Sequence, residues 1–361
     1  MSVYFIVLFL VMFFSALAER ERLQCVLMSG RIRERTEKSF WTYVVLCATI
    51  LILVSGLRFD VGTDYIGYVF SYHIRAARFR EDLLSFSEPG LGFLAWLGHF
   101  LSQDYVTIFL LSALVTVSLN LLTICKYSED VFLGICLYLL IGAWHNSFNG
   151  IRQYLAAAVL FAGHRYMFER KLLKYIAVVL LAACFHRTVL IMLPVYFIVG
   201  RKFTFKNTLY LLVCFLAIRL STNHFFNIMS VLKGHDQSGY AYMQQEVNPL
   251  RLLATLPPIL LAFFTPRSYR ELPENAFYLM LMILNACFMF ATEGSAYLAR
   301  VGIYTEIFLT IGIPRFIRAF DSQSRTFLTV AMLIYWGIFW AYEISVRDSL
   351  NHFHWIFDRT L

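Results

Sequence analysis

Charged residues are scarce in this chain. Only 15% of its 361 residues are Asp, Glu, Lys or Arg, whereas 59% are hydrophobic. Soluble domains carry about 25% charged residues. No polar stretch here is long enough for a separate soluble domain, because apolar runs recur from residue 3 to residue 345. The composition therefore predicts a polytopic integral-membrane protein with a single domain over residues 1–361.

Patterns typical of disulfides and metal sites are also missing. No two of the seven cysteines have CxxC spacing, and the histidines fit no compact ligand set. The net charge of +8 is spread over short loops between apolar segments and does not form one basic face. We therefore expect no disulfide framework, no metal and no nucleic-acid partner.

Basic loops indicate how the chain is oriented, since Lys and Arg favour the inner side of a membrane. Residues 19–39 and 165–174 are both basic, and we expect both on that side. The two basic stretches lie on the same side only if residues 89–102 do not cross the membrane. We therefore expect a re-entrant or interfacial helix over residues 89–102. The all-α fold then has about twelve transmembrane helices, with both termini outside.

Two outer loops and a hairpin follow from this topology. Residues 58–88 and 226–249 are expected as loops on the outer face. Residues 172–200 form an apolar run with basic residues at both ends and His186-Arg187 near the middle. This pattern predicts a helical hairpin whose tip, His186-Arg187, lies on the outer side.

Three arginines share a sequence context. Arg152, Arg187 and Arg300 are each expected at the outer start of a helix that runs inward. A helix N-terminus favours an anion, and a guanidinium pairs with two phosphate oxygens at once. Asn149 and Gln153 flank Arg152 and add neutral donors. The pattern predicts a phosphate site; the alternative is that each arginine anchors a helix end or pairs with an acidic residue.

Four residues are candidates for a catalytic base. The segment 58–65 reads Arg-Phe-Asp-Val-Gly-Thr-Asp-Tyr, and its glycine allows a tight turn that brings Asp60 and Asp64 close to the arginine. A carboxylate can take a proton from a hydroxyl, and so can Glu88 or His186. The alternatives are a turn cap, a salt bridge or a packed core histidine. The sequence leaves the choice among these four open.

Several short motifs occur in a fixed order. They are Arg58-Phe-Asp-Val-Gly-Thr-Asp-Tyr65, Glu88-Pro-Gly90, Asn149-Gly-Ile-Arg-Gln153, Phe185-His186 and Tyr297-Leu-Ala-Arg-Val-Gly302. The ordered set resembles the EpsG-like branch of the Wzy polysaccharide polymerases, which build O-antigens, capsules and exopolysaccharides. The resemblance extends from about residue 40 to residue 310 and excludes the stretch 351–361.

The resemblance implies an integral-membrane glycosyltransferase that works without a cofactor. Such an enzyme moves a growing glycan from undecaprenyl pyrophosphate to the next lipid-linked repeat unit, at the outer face of the bacterial cytoplasmic membrane. By the family's pattern, Arg58, Arg152 and Arg300 bind the pyrophosphate, and Arg187 and Tyr65 are further substrate-binding candidates. The expected partners are the lipid-linked oligosaccharide and membrane lipids, with a chain-length regulator and a flippase as further candidates.

Other functions share these features. A flippase or another transporter of the same lipid-linked sugar needs the same cations, but it is expected to show internal repeats and charges near the bilayer midplane. The sequence shows no repeat. A ligase that moves the finished glycan to lipid A or to protein shares the arginines and the base. A non-catalytic scaffold of an export complex is the remaining alternative.

Overall fold

The computed structural model of the protein describes residues 1–85, 88–200, 202, 204–233 and 245–359. Helices make up 80% of the structure, so the prediction of an all-α fold is confirmed. In chain order the α-helices are α1 (Ser2–Leu27), α2 (Gly30–Gly56), α3 (Tyr65–Leu84), α4 (Pro89–His99), α5 (Val106–Tyr127), α6 (Val131–Leu140), α7 (Ile151–Gly163), α8 (Arg165–Phe168), α9 (Leu172–Ala183), α10 (Val195–Ile198), α11 (Phe205–Lys233), α12 (Pro249–Ala254), α13 (Leu256–Phe264), α14 (Arg267–Arg270), α15 (Pro273–Ala291), α16 (Ala296–Ala299), α17 (Ile303–Glu306), α18 (Leu309–Ile317), α19 (Ser322–Val346) and α20 (Asp348–Asn351). Short 3-10 helices cover His145–Phe148, Arg187–Met192, Arg300–Gly302 and Ile356–Asp358.

Five helices are long and apolar enough to cross a membrane. They are α1, residues Ile32–Gly56 of α2, α5, α15 and α19. A sixth span results if Ala296–Glu306 and Leu309–Ile317, which meet at 53°, are counted as one broken helix. These counts refer to the described residues, where the other apolar helices span 10–17 residues. The predicted number of about twelve transmembrane helices is therefore not confirmed.

Both described ends of the chain meet at one end of the bundle, which we call the site end. β1 (Arg58–Phe59) pairs antiparallel with β2 (His354–Trp355). The amino group of Met1 donates a hydrogen bond of 3.0 Å to the carbonyl of Asn351. The start of α1, the end of α2 and the end of the chain are thereby held together.

Residues 349–359, which we call the C-terminal strap, lie against the segment that follows α2. The backbone N–H of Gly62 donates to the carbonyl of Ser349 at 2.9 Å, and that of Ile356 donates to the carbonyl of Leu57 at 2.8 Å. Backbone groups cannot be left unpaired in an apolar environment. The strap therefore supplies the partners that this short non-helical segment needs.

Ion pairs between distant segments form the opposite end, which we call the basic end. Arg165 pairs with Glu274 at 2.6 Å, and Arg315 lies 3.4 Å from Glu129. Arg22 donates to the backbone carbonyl of Glu129 at 2.7 Å. The two basic stretches that we expected on one side of the membrane thus meet at the same end of the bundle.

The segment 58–88, expected as an outer loop, is mostly helical. Its buried residues follow one face of α3, and they are Tyr65, Tyr68, Tyr72 and Ala76. This spacing is that of an amphipathic helix, and α3 packs against α4. The expectation of a loop was wrong because exposed charges such as Arg78 and Arg80 lower the hydropathy of α3.

α4 begins and ends at the site end. The N–H of Gly90 donates to the carbonyl of Cys184 at 2.8 Å, and Asp104, just beyond α4, pairs with Arg359 of the C-terminal strap at 2.6 Å. With 11 residues, α4 is about 17 Å long, well short of the roughly 30 Å of hydrocarbon in a bilayer. This position fits the re-entrant or interfacial helix predicted over residues 89–102.

The two other predicted outer features differ in how much of them is described. In the segment 172–200, α9 ends at Ala183 and the next helix begins at Arg187, so the turn of the predicted hairpin falls at residues 184–186. The predicted loop 226–249 begins inside α11, and its residues 234–244 lie outside the described residues.

We expect the C-terminal strap to stabilise the site end. A chain that ends at residue 348 loses β2 and the backbone hydrogen bonds to Leu57 and Gly62. Since each bond contributes about 0.5–1.5 kcal/mol, the midpoint of thermal unfolding in detergent should fall by about 3 °C or more. Arg359→Gln is the control, because its partly exposed pair with Asp104 contributes about 1 kcal/mol. An unchanged midpoint for the truncated chain would contradict the role of the strap.

Candidate functional site

Glu88 is the centre of the candidate site. Its Oε2 accepts a hydrogen bond from Nη1 of Arg152 at 2.5 Å. Its Oε1 accepts one from the backbone N–H of Arg187 at 2.9 Å and lies 3.0 Å from Nδ1 of His186. We call these four residues the Glu88 cluster. All four were predicted from the sequence as site residues, and they come from the start of α4, the start of α7 and the turn after α9.

The backbone at Glu88 is strained. Its φ is 52° in the left-handed region, which is uncommon for a residue with a side chain. Pro89, the first residue of α4, also restricts the residue before it. Gly90 allows the close approach to the hairpin, because a Cβ there would lie 2.6 Å from the ring of Phe185. The motif Glu-Pro-Gly therefore positions the carboxylate against the tip of the α9 hairpin.

The environment of Glu88 keeps it ionised. Burial acts to raise its pKa, but the hydrogen bonds from His186 and from the N–H of Arg187, together with the charges of His186 and Arg152, lower the pKa to about 2. Both carboxylate oxygens are occupied by donors. Of the four predicted base candidates, Glu88 is thus placed as a hydrogen-bond acceptor that holds other groups in position.

His186 is oriented by this carboxylate. An ionised carboxylate can only accept hydrogen bonds, so Nδ1 of His186 must carry the proton that points to Glu88. Neutral His186 then has its lone pair on Nε2, and Nε2 makes no hydrogen bond within the described part of the chain. The side chain is 23% exposed. The geometry is that of a general base held in one tautomer by a carboxylate.

Gln153 and Tyr304 connect the Glu88 cluster to Arg300. Nε2 of Gln153 donates to the backbone carbonyl of Arg300 at 2.8 Å, and the hydroxyl of Tyr304 lies 2.6 Å from that of Thr188 in the hairpin. The guanidinium of Arg300 is exposed and lies 5.6 Å from the ring of Tyr297. It forms no ion pair with any described residue.

The expected helix start holds for two of the three arginines. Arg152 is the second residue of α7, and Arg187 begins a 3-10 helix. Arg300 instead follows α16, whose N-terminus at Ala296 is capped by Ser295. For Arg300 the helix-dipole argument therefore does not apply, and only the charge of its side chain remains available to an anion.

Arg58 differs most from expectation. It is 2% exposed, and its guanidinium lies 4.5 Å from the ring of Phe109 and 4.7 Å from that of Phe148. It donates to the backbone carbonyls of Ser55, Val61 and Phe148. Burial lowers its pKa to about 10, so it stays charged at neutral pH. This position fits a structural cation beneath the loop after α2, and it does not fit the predicted contact with pyrophosphate.

Asp60 and Asp64 form no hydrogen bond and no ion pair with Glu88, His186 or Arg152. Asp60 is exposed with a φ of 51°, and Asp64 is half-buried just before α3. Oδ1 of Asn149 accepts the N–H of Thr63 at 2.8 Å. Asn149, predicted as a donor to phosphate, is thus used to hold the loop between the two aspartates.

Tyr65 is a core residue. Its ring stacks on that of Phe109 with centroids 4.7 Å apart, and it is 1% exposed. The predicted contact with substrate does not fit this position. Aromatic residues near a membrane surface serve in packing as well as in binding, and the sequence offers no signal that separates the two.

A second charged cluster was missed in the sequence. Nε of Arg251 donates to Oε1 of Glu343 at 2.9 Å, and its Nη2 contacts the other oxygen. Nη2 of Arg347 lies 3.0 Å from Glu343, and Nη1 of Arg347 donates to Oδ1 of Asn146. We call Arg251, Glu343 and Arg347 the Glu343 cluster. A signal was present, since a glutamate inside an apolar segment such as 326–345 is costly unless it is paired.

Comparison with known protein families gives a match over most of the chain. A model of the EpsG family matches residues 41–356, which is most of the chain. The matched region includes both charged clusters and β2. No curated protein and no solved structure matches the chain.

Glu88→Gln should make the protein less sensitive to acid. The folded-state pKa of Glu88 is lowered to about 2 from an ordinary value of 4.5, so its stabilising contribution is present above the ordinary value and is lost as pH falls towards 2. The unfolding midpoint of the wild type should therefore drop more between pH 5 and pH 2.5 than that of the variant. Glu271→Gln at the basic end is the control. Parallel pH curves for wild type and Glu88→Gln would contradict the proposed pairing.

Proposed function

Since the chain belongs to the EpsG family, a family of Wzy-like polymerases, we propose that it polymerises lipid-linked oligosaccharide repeat units. The donor is the growing glycan on undecaprenyl pyrophosphate, and the acceptor is the next lipid-linked unit. The convergence of Glu88, His186 and Arg152 carries this proposal. Together these three residues form a partly buried site in which an oriented base lies beside a cation.

The reaction needs a base for the acceptor hydroxyl and an anion site for the leaving pyrophosphate. The acceptor hydroxyl attacks the anomeric carbon of the donor sugar, the bond from that carbon to the pyrophosphate oxygen breaks, and the pyrophosphate leaves with the electron pair. The hydroxyl proton passes to Nε2 of His186. Glu88 holds the opposite ring nitrogen and stabilises the imidazolium that forms.

Arg152, Arg187 and Arg300 are proposed to bind the pyrophosphate. Three guanidinium groups and one carboxylate, Glu88, leave two net positive charges around the site. The side chain of Arg152 is 36% exposed, and Glu88 binds only one of its three nitrogens. Cations that are already in place stabilise the charge that develops on the leaving group. Arg58 is not part of this anion site, because it donates hydrogen bonds to backbone carbonyls of Val61 and Phe148.

We place the site end on the outer face of the cytoplasmic membrane, with both termini there and the basic end inside. The pairing of Met1 with Asn351 supports a common side for the termini. The many cations at the basic end support an inner position. A chain-length regulator and a flippase remain proposed partners, because they would act on the same lipid-linked substrate.

Labelling from outside tests this orientation. In a background without accessible cysteines, Thr63→Cys at the site end should react with an impermeant maleimide on intact cells. Lys174→Cys at the basic end should react only after the membrane is permeabilised. Both positions need a membrane-facing control, for which Leu122→Cys, exposed on α5, serves. Labelling of position 174 on intact cells would overturn the orientation.

His186→Ala should abolish long polymer. Loss of a general base lowers the rate by about 100- to 10,000-fold, so cells with the variant should carry single repeat units on the lipid anchor. The measurement is the ladder of glycan lengths on a silver-stained gel at equal protein level. Arg267→Gln, at an exposed pair of the basic end, should give the wild-type ladder.

Each other outcome has a meaning. Long polymer from His186→Ala at normal protein level would remove His186 as the base. Complete absence of surface repeat units would indicate a flippase, because units would then fail to reach the outer face. Long polymer on the lipid carrier that is not transferred onward would indicate a ligase.

A further inference from the structure

The basic end contains a cavity that the proposed reaction does not use. Its volume is about 660 Å³, which falls within the range of about 300–1,000 Å³ that is usual for ligand sites. It is lined by the later part of α1, the end of α5, the turn from α7 to α8, the start of α15 and the later part of α18. These segments are distant in sequence, so the cavity is a product of the fold.

The carboxylates that line this cavity are already paired. Glu274 lies 3.1 Å from Nη1 of Arg315, and Glu129 lies 3.4 Å from Nη2 of the same side chain. Glu169 lies 2.6 Å from Nζ of Lys171. A carboxylate beside such a cation stays ionised at neutral pH, and its charge is already compensated. These contacts leave the cavity poorly suited to a cation.

Lys126 is the cation of the lining that these pairs leave over. It is exposed in the last turn of α5, and its Nζ lies 5.3 Å from the centre of the Tyr127 ring. Within the described ranges it forms no ion pair and no hydrogen bond. An ammonium group has three N–H donors and no acceptor. Lys126 is therefore available to an anion.

The charge around the cavity is positive. The lining and its ion-pair partners contain the cations Arg22, Lys126, Arg165, Lys171, Arg315 and Arg318 and the carboxylates Glu19, Glu129, Glu169 and Glu274. Six cations against four carboxylates leave two positive charges. Asp130, which follows Glu129 and caps α6, removes at most one of them. The cavity is thus suited to an anion.

The surface beside Lys126 indicates what kind of anion fits. Leu122 lies four residues before Lys126 on α5 and is 51% exposed. Residues at this spacing share one face of a helix. Since α5 is long and apolar enough to cross a membrane, an anion at Lys126 has apolar surface next to it on the side of the bilayer. This combination suits a headgroup with acyl chains better than a free phosphate.

We propose that the cavity at the basic end binds the phosphate of an anionic membrane lipid. Lys126 contacts the headgroup, and an acyl chain lies along α5 over Leu122. The lipid belongs to the leaflet at the basic end, which is the inner leaflet in the orientation proposed above. Basic pockets between membrane helices are suited to such headgroups. A ligand that binds only the folded protein raises its stability, so the lipid should stabilise the bundle.

Binding of defined compounds to the full-length chain tests this site. The protein in a nonionic detergent is mixed with dioleoyl phosphatidylglycerol, dioleoyl phosphatidylcholine or glycerol 3-phosphate. Native mass spectrometry should show retained phosphatidylglycerol, and the unfolding midpoint should rise with its concentration. Phosphatidylcholine has no net charge and glycerol 3-phosphate has no acyl chain. Neither compound should therefore be retained at the concentration at which phosphatidylglycerol is.

Three variants assign the binding to the cavity. Lys126→Gln should raise the Kd for phosphatidylglycerol about fivefold, because one cation near a membrane surface contributes a factor of this size. Lys126→Arg keeps the charge and should keep the wild-type Kd. Lys206→Gln is the matched control, since Lys206 is also exposed and lies 5.5 Å from the ring of Tyr210, but it is not part of the cavity lining.

Three results would overturn the assignment. The same Kd in the wild type and in Lys126→Gln would remove the cavity as the binding site. Equal retention of phosphatidylcholine and phosphatidylglycerol would show that negative charge does not select the ligand. Glycerol 3-phosphate that binds as tightly as phosphatidylglycerol would indicate a soluble phosphate compound as the ligand. None of these readouts depends on polymer formation, so they leave the proposed polymerase function untouched.

Discussion

The pairing of one carboxylate, Glu88, holds together the part of the molecule on which function depends. Its partners are 64 and 98 residues away, at the starts of two different segments after α6 and α9. Unpaired charge is expensive at the edge of an apolar bundle, so these segments gain stability when they converge. The same bonds fix the tautomer of His186 and the direction of Arg152. Stability and preorganisation therefore come from one set of contacts.

Sequence reasoning found the members of this pairing for a physical reason. Charges are rare in the chain, and a charge inside or beside an apolar segment is costly unless it is paired or functional. Glu88, Arg152 and His186 could therefore be singled out without structure. Which of the candidates is the base could not be derived, because that depends on which oxygen and which nitrogen face each other. Only the geometry shows that Glu88 is surrounded by donors while Nε2 of His186 is left available.

The same reasoning failed where burial decides the role. Arg58 carries the charge of a phosphate ligand, yet it lies between two aromatic rings and donates to backbone carbonyls. Tyr65 likewise has an aromatic ring of the kind that stacks on sugars, but this ring is buried in the core. Composition does not reveal these positions. The number of spans was also beyond reach, because short helices such as α6 and α7 continue through 3-10 turns, whereas hydropathy counts treat each apolar run as a crossing.

The two charged clusters differ in how their arginines are used. A leaving pyrophosphate gains charge, so its site needs cations that are not already neutralised. Around Glu88 one carboxylate faces several guanidinium groups, and the side chain of Arg152 is still 36% exposed. Around Glu343 the carboxylate is 5% exposed and pairs with Arg251 and Arg347, and these contacts join α12, α19 and the 3-10 helix after α6. The same residue types therefore serve a proposed reaction at one cluster and the packing of distant segments at the other.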